Sequence, residues 1–195
     1  MLEDVVASCL ASKSFAKTLV VSPDCAVGRA AEEWGAIFIE SHTGDLNGDI
    51  AVGIDWSIVS GAESVLIFPG DIPAINVDDI CAIFNLASPD PSVIISPSRN
   101  GGTNMLFLHP PDIIRPLFGL NSFERHLREA EKRGVESSIY ESPRVALDID
   151  TEVDLKEFMK LGVLGDSKPL NKTKKYLREI KEKSDRNNHI FIEFY

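Results

Sequence analysis

The chain has 195 residues, of which 44% are hydrophobic and 26% charged, the balance of a single soluble domain with a sizeable core. Its net charge of −10 argues against nucleic acid and anionic membranes as partners, and no apolar run approaches a bilayer span. Three cysteines without CxxC spacing (Cys9, Cys25, Cys81) and four scattered histidines (His42, His109, His126, His189) exclude a disulfide framework and a zinc signature. With the acidic start Met1-Leu2-Glu3-Asp4, they predict reduced, buried thiols in a cytoplasmic protein.

Leu2, Val5, Val6, Cys9 and Leu10 fall on one face of an amphipathic helix. Thr18 to Ser22 reads as a β-branched strand. Val27, Ala30, Ala31 and Trp34 form a second helical stripe, which Gly35 ends as a left-handed cap. Ala36 to Glu40 is the next strand, and the polar stretch Ser41 to Gly48 reads as a loop. Ile50, Ile54 and Ile58 predict a helix reaching about Ser60. Ser64 to Phe68 is a short buried strand stopped by Pro69-Gly70. Val77, Ile80, Cys81 and Phe84 predict a helix capped by Asn76 or Asp78 and closed by Pro89-Asp90-Pro91.

Strands over Ser92–Ser96 and Asn104–Leu108 flank a loop over Pro97–Thr103. A polar helix over Ser122–Arg133 follows, then a short strand over Ser138–Tyr140. Thr151 caps a helix carrying Val153, Leu155, Phe158 and Met159, with Asp154 at the capping-box position. Asn171 to about Ser184 is a Lys-rich helix, and His189 to Tyr195 is strongly β-prone. Residues 1–165 hold 12 Lys and Arg against 25 Asp and Glu, a net of −13, whereas residues 166–195 hold 8 against 5, a net of +3. This divides the chain into a body over 1–165 and a basic tail over 166–195. The tail reads as a solvated helix or, with its apolar end needing a sheet edge, as the interface of a homodimer. Alternating strands and helices predict an α/β fold: a mixed, mostly parallel sheet with helices on both faces, one of the later strands being open to an antiparallel reading.

Four polar clusters attach to this scaffold. Asp71 lies just past the carboxyl end of the Ser64–Phe68 strand, where open α/β sheets bind ligands; a carboxylate there suits a hard cation such as Mg²⁺. Ser98-Arg99-Asn100-Gly101-Gly102-Thr103-Asn104 offers close backbone approach at the glycines and donors on Arg99 and Thr103 for a phosphate or carboxylate, or else a plain hairpin turn. Gly119-Leu120-Asn121-Ser122 runs into a helix, where Ser122 is either part of an anion site at the N-terminus or an ordinary cap. His126 lies one turn further on. Asp148-Ile149-Asp150-Thr151 places two carboxylates on one side of an extended segment; one of them with Asp71 could grip Mg²⁺, a nucleoside triphosphate supplying the remaining oxygens.

Taken in order, Pro-Gly-Asp71-Ile-Pro-Ala, Arg99-x-Gly-Gly-Thr103-Asn104, Gly119-x-x-Ser122-Phe-x-Arg-His126 and Asp148-x-Asp150-Thr151 resemble the 2-phospho-L-lactate guanylyltransferase family, one of the GT-A-like, Rossmann-like nucleotidyltransferases that include the molybdenum-cofactor guanylyltransferases. The resemblance runs from about residue 1 to about 165. It implies condensation of GTP with 2-phospho-L-lactate, or phosphoenolpyruvate in some relatives, to give lactyl-2-diphospho-5′-guanosine and pyrophosphate in coenzyme F-420 biosynthesis.

The resemblance further implies that Asp71 and Asp148, with Asp150 beside them, hold Mg²⁺ as catalytic and metal residues. Arg99, Thr103, Gly119, Ser122 and His126 would bind the phosphorylated acid, and Asn47 and Gly70 would lie at the nucleotide. Family members open with a strand and a basic triphosphate loop, so the chain is expected to begin at the helix that follows them. A non-catalytic relative that binds a phosphorylated ligand or a partner subunit, or a nucleotidyltransferase with another acceptor, is the alternative.

Overall fold

The computed structural model describes residues 1–161 and 172–187. Helix α1 (Leu2–Ser12) ends where Lys13 turns left-handed. Strand β1 (Leu19–Ser22) leads into α2 (Cys25–Glu33), whose N-terminus is capped by the Asp24 side chain accepting from the Ala26 amide. Gly35, at φ +94°, makes the tight reversal into β2 (Ile37–Glu40). Helix α3 (Leu46–Val59) follows, then β3 (Val65–Ile67), α4 (Val77–Leu86), β4 (Ser92–Pro97), β5 (Thr103–His109), α5 (Ser122–Lys132), β6 (Glu136–Ile139), α6 (Glu152–Leu161) and α7 (Lys172–Asn187).

The alternating order of strands and helices is the predicted α/β pattern, and β5 is the antiparallel strand that the reading had left open. Three boundaries differ. The stretch 41–48 is not all loop: Asp45 accepts from the Gly48 amide at 2.9 Å, and that cap starts α3 at Leu46 despite the polar Asn47 and the Gly48 in its first turn. Strand β6 lies two residues earlier than expected at its start, because Glu136–Ile139 pair in parallel with Ser92–Ile95. Ser122 is the first helical residue of α5 and not its cap; Asn121, left-handed at φ 53°, holds that position and makes no side-chain capping bond. At α6 the predicted capping box is present: Thr151 Oγ1 and the Asp154 carboxylate bond each other's backbone amides.

Two sheets form. One pairs β1 with β2 in parallel; the other runs β3-β5-β4-β6, with β5 antiparallel to both neighbours and β6 parallel to β4. The period of two along β4 and β5 feeds two cores. Ile94, Met105 and Phe107 pack on one face with Val5 of α1 and Ile80 and Ile83 of α4. Val93, Ile95, Leu106 and Leu108 pack on the other with Ile54 of α3 and Ala130 of α5. Helices therefore cover both faces, as expected.

The single sheet of the sequence reading is interrupted between β1 and β3. All residues of both strands line a cavity of about 790 Å³, walled by α1 and α3. No helix among the described residues is long and apolar enough to cross a membrane. All three thiols are free, but only Cys9 is buried; Cys25 and Cys81, at the first position of α2 and on the outer side of α4, are exposed and not buried as expected.

The basic tail begins on its own chain. The Lys172 and Thr173 amides, at the start of α7, donate to the two oxygens of buried Asp4 in α1 at 2.7 and 3.0 Å, a carboxylate placed where a helix N-terminus favours one. The predicted body–tail boundary at 165/166 and the β-prone segment 189–195 lie outside the described residues.

Candidate active site

Strand β3 ends at Ile67, and Pro69-Gly70 turns the chain so that Asp71 stands beyond its carboxyl end. Ile72 and Ile75, both buried, anchor the segment that follows. Asp71 Oδ1 is buried and has no hydrogen-bond partner among the described residues. Burial raises the pKa of this carboxyl above its ordinary value, and the nearby charges of Asp148 and Asp150 push it further the same way.

The two segments that carry these acids are tied through the backbone: the Ile149 amide donates to the Asp71 carbonyl at 3.0 Å. Asn104 steadies the second segment, its Nδ2 donating to the Val145 carbonyl at 3.0 Å and to Asp148 Oδ1 at 3.3 Å.

A deeper carboxylate locks the same two segments together. Asp79 is wholly buried in α4, where with Asn76 it forms a reciprocal capping box. Arg144 grips it with Nε and Nη2, each at 2.7 Å, while the Tyr140 and Ser142 hydroxyls donate to it at 2.9 and 2.8 Å. These donors outweigh burial and hold the Asp79 carboxyl below its usual range. The Asp71–Asp79 stretch is thereby fixed to the Tyr140–Asp150 stretch. Sequence reasoning missed this lock. Its one local trace is the Asn76-x-x-Asp79 pattern, which reads as a cap and says nothing of Arg144.

The second polar cluster surrounds the start of β5. The Gly102 amide donates to Ser98 Oγ at 2.9 Å and the Ser98 amide to the Gly102 carbonyl at 2.9 Å, closing the turn of the β4–β5 hairpin. A Cβ on Gly102 would stand 2.8 Å from Ser98 Oγ and 3.8 Å from Ser122 Oγ, so glycine lets this turn lie against the head of α5. Gly101 and Gly119, with φ of +78° and +112°, supply conformations that side-chain-bearing residues resist. Thr103 and Ser122 are both buried, and Ser122 Oγ has no partner in the protein.

Thr103 and Asn104, the first two residues of β5, therefore serve different clusters: one faces the α5 side, the other the carboxylates, as successive strand residues must.

Several predicted site residues have other duties. The Arg99 guanidinium is paired with Glu157 of α6, and its backbone amide donates to the Ala146 carbonyl at 3.3 Å, so that it braces the loop. The Asn47 amide is spent on the Phe118 backbone, with Nδ2 to the carbonyl at 3.1 Å and the Phe118 amide to Oδ1 at 2.7 Å. It clamps the Phe118–Gly119 loop to α3. Gly70 sits with α1 beside it, where a Cβ would meet Leu2 Cδ1 at 3.2 Å. His126 is wholly buried and bonded through both ring nitrogens within the protein, so it stands behind the site and does not face a ligand.

The residues that remain offer a cation two carboxylates and an anion two buried hydroxyls. Among the described residues no three His, Cys, Asp or Glu side chains converge to cage a metal alone. An Mg²⁺ site of one or two carboxylates completed by substrate phosphate and water would take the unpartnered Asp71 Oδ1 as one of its oxygens.

The family model of CofC-like guanylyl transferases matches residues 1–190. The chain belongs to this family. It is 37% identical over 156 residues to the phosphoenolpyruvate guanylyltransferase of Rubrobacter xylanophilus, covering 80% of this chain and 76% of that one. It is 35% identical over 164 residues to the 2-phospho-L-lactate guanylyltransferase of Methanocaldococcus vulcanius, covering 84% and 70%. Its fold matches that of a nucleotidyl transferase from Methanothermobacter at a TM-score of 0.66 and 18% identity, over 84% of this chain and 81% of that one. It also matches 4-diphosphocytidyl-2C-methyl-D-erythritol synthase at 0.64 and 12%, over 82% and 87%. The architecture of this CofC-like chain is thus the α/β nucleotidyltransferase fold that the sequence resemblance implied.

Proposed function

We propose that the protein transfers the guanylyl group of GTP to the phosphate of a three-carbon acid, phosphoenolpyruvate or 2-phospho-L-lactate. An oxygen of the acid's phosphate forms a new bond to the α-phosphorus of GTP, the α–β bridging bond breaks, and its electrons leave with pyrophosphate. A phosphate dianion is already nucleophilic at neutral pH, so no side chain needs to remove a proton. The single observation that carries the reading is the buried, unpartnered Oδ1 of Asp71, within reach of the charge of Asp148, together with the buried hydroxyls of Thr103 and Ser122, in a chain of this family. Asp71 and Asp148, with Asp150 close by, would hold Mg²⁺. Bound there, the ion would neutralise charge on the transferring phosphate and the leaving pyrophosphate. Thr103 and Ser122 would hold the acceptor's anion and fix its direction of attack.

The test is pyrophosphate release from GTP with each acid, in wild type and in Thr103→Val and Ser122→Ala. Loss of a hydroxyl bonded to a charged group costs about 1.5–3 kcal/mol, so the acceptor KM should rise at least about tenfold while that of GTP stays put. Equal losses for both substrates would place the hydroxyls elsewhere, and no pyrophosphate with any acid would reject the activity. Coenzyme F-420 biosynthesis as the pathway, the cytoplasm as the place and a homodimer as the working unit belong to the same proposal. Light scattering at micromolar concentration tests the last.

A further inference from the structure

Behind the proposed acceptor pocket lies a histidine that the chemistry above does not use. The Leu117 amide donates to His126 Nε2 at 2.7 Å, and Nδ1 lies 3.0 Å from Thr103 Oγ1. A backbone N–H can only donate, so Nε2 must be the bare nitrogen. A neutral ring then carries its proton on Nδ1. That proton points at Thr103 Oγ1, which accepts it, and the threonine's own hydroxyl hydrogen is left to aim away from the ring.

The packing fixes the ring as well as its protons. Phe118 meets it edge to face at 5.1 Å, and Asn47 holds Phe118 through two hydrogen bonds. Burial first, then the charge of Arg125, keeps the imidazole neutral, with its pKa lowered to about 4. Protonation at Nε2 would set two donors, that N–H and the Leu117 amide, against each other.

We infer that His126 is a positioning residue: by accepting from the Leu117 amide and donating to Thr103, it makes the Thr103 hydroxyl a donor directed into the acceptor pocket, toward an anionic oxygen. The inference rests on the acceptor role proposed for Thr103. It deepens that role by explaining why a threonine, whose hydroxyl can donate or accept, is held in one of those two states. A pocket meant for a phosphate or carboxylate needs donors only, and a Thr103 that gave its proton to the ring would present lone pairs to the anion and repel it.

The experiment joins a spectroscopic and a kinetic readout. Nitrogen NMR of the histidine-labelled protein near neutral pH should show His126 protonated on Nδ1 and bare on Nε2. In His126→Gln the amide oxygen can still accept from Leu117, but no donor faces Thr103. The KM for phosphoenolpyruvate or 2-phospho-L-lactate should then rise about tenfold, the size of one directed hydrogen bond to a charged group, with the GTP KM unchanged. In a Thr103→Val background the same change at His126 should add nothing further, because the hydroxyl it directs is gone.

A proton found on Nε2, equal losses for GTP and the acid in His126→Gln, or full additivity with Thr103→Val each overturns the inference while leaving the acceptor role of Thr103 in place. If Thr103→Val alone leaves acceptor binding untouched, the acceptor role fails, and the positioning role falls with it whatever the tautomer.

Discussion

The two ends of the molecule are built to different standards. At the β4–β5 end, strands are paired on both sides and their side chains feed two cores. Each buried polar group that sets the carboxylates and hydroxyls in place has a named partner: Asp79 has Arg144, Tyr140 and Ser142; Asn104 has Val145 and Asp148; His126 has Leu117 and Thr103. At the β1–β2 end, two strands of four residues form a separate sheet, and the cavity of about 790 Å³ lies between their edge and β3. Protein interiors hold few voids larger than a water molecule. The comparison teaches where precision is concentrated, and the buried oxygens without a partner among the described residues include Asp71 Oδ1 and Ser122 Oγ as well as Ser92 Oγ and Ser96 Oγ on β4 itself. Asp71 and Ser122 differ from the two β4 serines in standing beside the turns that carry the candidate site, where a ligand could supply the missing partner.

The strongest way to break that contrast is at Asp71. If its unmet oxygen is functional, Asp71→Asn should cut guanylyl transfer by a factor on the order of a hundred to a thousand, the usual loss of one preorganised electrostatic contact. Stability should move the other way. The folded-state pKa is raised, so this carboxyl favours folding only when protonated, and that contribution is lost as pH rises through the folded pKa. At neutral pH the charged form is a burden that asparagine removes. A melting temperature that holds or rises with activity gone supports the frame; a collapse of folding would make Asp71 structural.

The next largest effect is at Arg144. Arg144→Met strips Asp79 of its cation inside the core, and breaking a buried pair from one side costs about 3–5 kcal/mol. Urea unfolding should show that loss. The double variant Asp79→Asn with Arg144→Met should recover much of it, because no unpaired charge is then buried. A smaller effect comes from pH. His126 falls from an ordinary 6.5 to about 4 in the fold. The unfolded chain therefore binds a proton that the folded one refuses, and stability is lost as pH drops from 6.5 toward 4, by about 3 kcal/mol at the lower end. Unfolding free energies of wild type and His126→Gln across that range separate this loss from that of the carboxylates; the wild type should fall more steeply.

How much of this was legible in the sequence follows from range. Asp71, Thr103, Ser122 and Asp148 could be singled out because each sits at the end of a periodic element, and where elements end is written locally. The Asp79–Arg144 pair spans 65 residues, and no spacing rule connects a helix cap to a loop that far away. His126 is a candidate ligand contact only through the resemblance, as the last residue of the Gly119-x-x-Ser122-Phe-x-Arg-His126 pattern. Only the fold shows that the loop at Leu117 covers its far side. Arg99 and Asn47 looked available because their partners, Glu157 and Phe118, come from other elements. The split sheet was hidden for a related reason: the apolar run of a strand announces burial, but not which strand lies beside it.

The finest test of the contrast is amide hydrogen exchange, residue by residue. Among the described residues β1 pairs with β2 alone and β3 with β5 alone, so alternate amides of both strands face the cavity without a strand partner among those residues. Those amides should exchange by small local openings. The amides of Val93–Ile95 and Leu106–Leu108, buried and in the middle of the larger sheet, should exchange only through global unfolding. Within β3 itself, the amides bonded to β5 should be slow and their neighbours fast, an alternation that uniform flexibility could not produce. If the cavity-facing amides of β1 and β3 are instead as protected as those of β4, then in solution their edges are hydrogen-bonded to an extended segment. The two ends of the molecule would then be one continuous sheet.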